Sequence, residues 1–82
     1  MFSIPRPNVI ESEKGYSVEV LGRTGLRYTD GGRVLHIDSE VLAGPSGIII
    51  YSQSINTEKD KAKIIENIQA AFKFRGFDIQ VV

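Results

Sequence analysis

Apolar and polar residues alternate along Tyr16–Val20, with Tyr16, Val18 and Val20 set against Ser17 and Glu19. A period of two puts the apolar set on one face of a half-buried strand. Leu26 and Tyr28 alternate with Arg27 and Thr29 in the same way, after a Gly22-Arg23-Thr24-Gly25 loop. Asp30-Gly31-Gly32-Arg33 is the strongest turn signal, because two glycines accept the positive φ of a primed hairpin turn. With Gly31 and Gly32 central, Asp30 faces Arg33, Tyr28 faces Leu35 and Leu26 faces Ile37. A one-residue slip would set Tyr28 against Arg33, so the apolar face selects the register. The preceding loop pairs Val20 with Leu26 and Val18 with Tyr28, which predicts a three-stranded meander.

Gly44-Pro45-Ser46-Gly47 reads as a turn, and the β-branched run Ile48-Ile49-Ile50-Tyr51 as a central strand. The spacing then changes. Ile64, Ile65, Ile68 and Phe72, with Ala71, recur on one helical face, while Lys63, Glu66, Asn67 and Lys73 fall mainly on the other. Thr57 is the expected N-cap and Gly76 the residue that ends the helix. Phe77, Ile79 and Val81 resume the two-residue period as a last strand. Joined through the helix by a right-handed crossover, that strand lies parallel to Ile48–Tyr51. These elements predict an α+β fold: a mostly antiparallel five-stranded sheet with one helix packed on one face, in the order β-β-β-β-α-β. Residues 1–82 make a single domain, with residues 1–8, which hold Pro5 and Pro7, as an extended or frayed lead-in. One helix covers only one face of such a sheet. The second face is then solvated, curled on itself or covered by another protein.

Composition narrows the function classes. The chain is 82 residues long, room for one small core. Ten Lys+Arg balance ten Asp+Glu, and the basic residues form no stripe. Residues 1–56 hold five basic and six acidic side chains, and residues 57–82 hold five and four. Neither half carries a field that steers a nucleic-acid backbone, so no nucleic-acid partner is expected. Cysteine is absent, which removes disulfides, thiol nucleophiles and thiolate zinc sites. No apolar window reaches the length of a membrane span, and the first residues lack an apolar signal core. The expected location is the cytoplasm, with no membrane partner.

Candidate chemistry is sparse. His36 is the single histidine, and Asp38 lies two residues on, on the same face of a strand. A histidine base oriented by a carboxylate is one reading of that pair. No serine lies in a nucleophile motif, and His36 falls opposite Arg27 on the polar face of the hairpin, so a polar histidine facing solvent or a partner is the preferred reading. Two-residue carboxylate pairs such as Glu11 with Glu13 and Asp38 with Glu40 do not make a closed metal site, and no cofactor motif is present. Phe74 stands about 200° round the helix from Phe72, outside the apolar stripe. It is either a partner anchor or a ring curled under the helix end against Phe77. Arg27, His36, Asp38 and Phe74 are therefore the candidate partner-binding residues.

Three stretches resemble the immunity protein 74 family: Tyr16–Tyr28, Gly31–Leu42 and Gly44–Tyr51. The ending Ile64-Ile65-Glu66-Asn67-Ile68, Phe72, Gly76 and Ile79-Gln80-Val81 resembles it too. The shared positions are mainly turn glycines and core residues, across most of residues 16–82. Relatives carry an aromatic, proline-containing insertion before the helix, whereas here Ser52–Asn56 runs almost directly into Thr57. The resemblance implies a bacterial protein of a polymorphic toxin system that binds and neutralises a cognate toxin, with no catalytic residues of its own. The alternative is a homo-oligomeric structural or adaptor domain, its open sheet face closed by a second copy.

Overall fold

The computed structural model describes residues 1–42, 47–55 and 60–82. The strands are β1 (Phe2–Arg6), β2 (Val9–Ser12), β3 (Tyr16–Val20), β4 (Thr24–Asp30), β5 (Arg33–Val41), β6 (Gly47–Ile50) and β7 (Asp78–Val81). A short 3-10 turn at Ser52–Ser54 follows β6, and helix α1 (Lys61–Arg75) precedes β7. The strands lie side by side in chain order. Every neighbouring pair is antiparallel except β6 and β7, which are parallel.

The α+β class agrees with the expectation, but the five-stranded sheet does not. The sheet has seven strands among the described residues, in a mixed half-barrel curled round one helix. The two additional strands are β1 and β2, where the expectation is an extended or frayed lead-in over residues 1–8 and no element over residues 9–15. Pro5 sits in β1, an edge strand, where one side has no ladder partner and a missing N–H costs little. Val9 and Ile10 break the two-residue pattern because both are buried, at 5% and 4% exposure, although successive strand residues point to opposite faces. The N-terminal lead-in is thus paired with β2, through Phe2 with Ser12 and Ser3 with Glu11.

The hairpin register follows the turn. Asp30 pairs with Arg33, Tyr28 with Leu35 and Leu26 with Ile37, while Val18 pairs with Tyr28 and Val20 with Leu26. Gly31 and Gly32 both have positive φ, at 50° and 86°. Farther on the ladder shifts by one residue, and Gly25 faces the Asp38–Ser39 pair. The helix ends at Gly76, whose φ of 91° is left-handed and whose N–H donates to the Lys73 carbonyl. It starts at Lys61 after Asp60; the Thr57 cap lies outside the described residues, as does most of the Gly44–Gly47 turn.

The core lies between α1 and the concave face. Val18, Leu26, Tyr28, Ile37, Ile48 and Ile50 from the sheet meet Ile64, Ile68, Ala71 and Phe72 from the helix, all at 1% exposure or less. The molecule measures 33 × 28 × 18 Å. Among the described residues β1 pairs only with β2 and β7 only with β6, so the sheet is open with two separate edges.

Candidate functional site

The alternation that fills the core on one side of the sheet places the polar set on the other. Glu19 of β3 pairs with Arg27 of β4, and Arg27 with His36 of β5, so the three form a row across the convex face. Arg27 Nη1 donates to Glu19 Oε1 at 2.9 Å. Arg6 Nη2 stands 3.9 Å from the other carboxylate oxygen, and Asn8 Nδ2 lies 3.4 Å from it. Glu19 is the best shielded of these charges, its side chain 18% exposed beside two arginines. The buried Val9 pairs directly with Glu19 and Arg6, so its burial comes from the convex side beneath this cluster.

The structure keeps Arg27, His36 and Asp38 on this convex face. His36 and Asp38 are exposed and follow the strand alternation. Among the described residues no hydrogen bond or ion pair joins them, so no carboxylate orients the imidazole. The backbone of Asp38 is held firmly instead. Its N–H donates to Ser54 Oγ at 2.8 Å, and its carbonyl accepts the Tyr51 N–H at 3.0 Å. The 3-10 turn thereby fixes the place where the Asp38 carboxylate enters solvent. Glu40 is next on the same side, paired with Ile49. The face is basic and bridged around Arg6 and Arg27, and acidic around Asp38 and Glu40.

Phe74 is elsewhere. It belongs to α1, on the concave side, so the structure separates it from the other three candidates. It does not curl against Phe77, which meets Phe72 edge to face at 5.8 Å. Its ring lies 5.2 Å from Phe2 of β1, and it remains 49% exposed. Phe2 in turn contacts Tyr16, and Tyr16 stacks on Tyr28, so an aromatic series runs from the helix surface into the core.

A cavity of about 280 Å³ opens at one end of the half-barrel. Ile10, Val20, Val41, Ile48, Phe72 and Phe77 line it, with Asn8 and Arg75 also on its wall. Arg75 Nη2 donates to the Pro7 carbonyl at 3.5 Å. The volume is at the bottom of the range of small-molecule pockets, and no titratable pair converges there. Among the described residues no group of three or more His, Cys, Asp or Glu could hold a metal ion, and no helix is long and apolar enough to cross a membrane.

Sequence reasoning placed Arg27 opposite His36, but it missed Glu19 as the hub that ties Arg27 to Arg6 and Asn8. The available signal was the like spacing of Glu19 and Arg27 from the hairpin turns. Arg6 carried none, because its approach depends on β1 being a strand. No protein family, curated protein or solved structure matches the chain.

Proposed function

We propose that this chain is a non-enzymatic protein-binding domain that acts as an immunity protein, binding a cognate bacterial toxin and blocking its active site or substrate path. The observation that carries the reading is the convex face. Among the described residues no helix lies over it, a seven-stranded sheet backs it, and it is patterned with separate basic and acidic patches. Specific interfaces bury about 800 Å² per partner, and a sheet face of this width offers an area of that order. Charge patterning of this kind speeds encounter and rejects wrong partners. The residue-level likeness to immunity proteins across most of residues 16–82 supports the toxin partner, and neutralising a toxin inside the producing cell entails a cytoplasmic location.

Co-expression with the product of the neighbouring gene tests the reading. The expected result is that the neighbour arrests growth alone, that this chain restores growth, and that the two co-purify. His36→Ala combined with Asp38→Lys should weaken capture about 30-fold or more if the pair forms a hot spot. Surface substitutions of this kind move stability by only about 0.5 kcal/mol, so the melting temperature should hardly change. A neighbour that is harmless alone and does not co-purify overturns the proposal.

A further inference from the structure

The two edges of the open sheet are built differently. β1 carries Pro5, which has no N–H, ends in charged Arg6, and has a register shift between Ser3 and Arg6. These are the devices that keep an edge from pairing with another chain. β7 carries one charge, Asp78 at its first position, and none of the others. It reads Asp78-Ile79-Gln80-Val81, with no proline, lysine or bulge, and it lies at the other edge of the sheet.

The backbone accounting shows which groups face outward. Val82 N–H donates to the Ile50 carbonyl, and the Val82 carbonyl accepts the Ser52 N–H, so both groups of Val82 point toward β6. Backbone groups of successive strand residues point to opposite sides of the strand. Gln80 and Asp78 therefore also face β6, while the N–H and C=O groups of Ile79 and Val81 face the open edge. No backbone or side-chain group among the described residues bonds them there.

We infer that the β7 edge pairs with the β7 edge of a second copy, antiparallel about a two-fold axis, joining two half-barrels into one continuous sheet. The sequence is self-complementary in that register. Ile79 opposes Val81 of the other copy, and the four outward groups of each chain meet as donor to acceptor. Gln80 lies on the axis opposite its own copy, where two side-chain amides can bond each other. Asp78 opposes Val82, so the strand's only charge does not meet itself. The same edge in a parallel or shifted register loses one or more of these matches. The convex faces carrying Arg27, His36 and Asp38 remain open in this arrangement, so the inference stands or falls apart from the toxin-binding reading.

Light scattering on the purified chain across the micromolar range tests it. The expected mass is twice the 9.1 kDa of one chain at the upper end, falling on dilution. Gln80 is exposed, so its substitution spares the monomer fold, which circular dichroism verifies. Gln80→Lys and Gln80→Glu each place like charges directly across the axis and should raise the dissociation constant roughly five-fold or more. Mixing the two variants should recover the doubled mass, because opposite charges then face each other. A monomeric mass throughout overturns the inference. So does a dimer that neither substitution weakens, since its interface lies elsewhere.

Discussion

Tyr28 shows how one side chain joins the core to the helix. Its ring is fully buried, and its hydroxyl accepts a hydrogen bond from Asn67 Nδ2 at 2.9 Å. Burial pushes the phenol pKa up to about 12, because the charged phenolate would lose water it cannot replace. With a folded-state value above the ordinary 10, Tyr28 contributes fully below pH 10, and that contribution is lost as pH rises from 10 to about 12. Alkaline titration followed by tyrosine absorbance should show one phenol ionising last, together with the loss of fold. Tyr28→Phe should remove that late step and cost about 1 kcal/mol at neutral pH, through the lost bond to a half-buried amide. Asp30 behaves in the opposite sense. Hydrogen bonds from Arg33 Nε and Nη2 hold its carboxyl below the usual range, so its contribution is present above the ordinary carboxylate value and fades as acid protonates it. Arg33 also reaches Asp60 at 3.0 Å, linking the hairpin turn to the start of the helix.

The elements differ in how openly the sequence displayed them. The β4–β5 hairpin was legible because Asp30-Gly31-Gly32-Arg33 sets its register, and that register alone placed Arg27 against His36. The helix was legible through its apolar stripe, and its end through Gly76. β1 and β2 were not, since an edge strand tolerates proline and Val9 is buried on the face that the pattern assigns to solvent. The contact between Phe74 and Phe2 was hidden for the same reason: its partner lies on an unforeseen strand. Gly76 gives an element-level test. A Cβ there would meet nothing within 4 Å, so only its left-handed backbone opposes a side chain. Gly76→Ala should therefore destabilise by about 1–2 kcal/mol with no change in the core, read as a lower denaturant midpoint at an unchanged slope.

At the scale of the whole molecule, the decisive fact is that one helix serves seven strands among the described residues. The helix stabilises one face, and the other carries Glu19, Arg27, His36 and Asp38. Truncating the helix's central ring should be far more damaging than any change on the convex face. Phe72, fully buried at the junction of sheet and helix, carries that comparison. Phe72→Ala should cost about 3–5 kcal/mol, a large share of the roughly 4–12 kcal/mol available to a domain of this length. Thermal melting of this variant beside His36→Ala would measure the contrast.

The chain-order arrangement of the strands also decides when each part can form. Every strand from β2 to β6 docks on the one just made, so these contacts are local and close quickly. The helix that covers the concave face comes after them in the chain. During folding, Leu26, Tyr28, Ile37, Ile48 and Ile50 can gather on one apolar surface before Ile64, Ile68 and Phe72 dock to cover it. β7 must then find β6 across the helix, the one non-local pairing in the sheet. The time that α1 takes to dock thus sets how long a half-covered sheet is exposed to other chains.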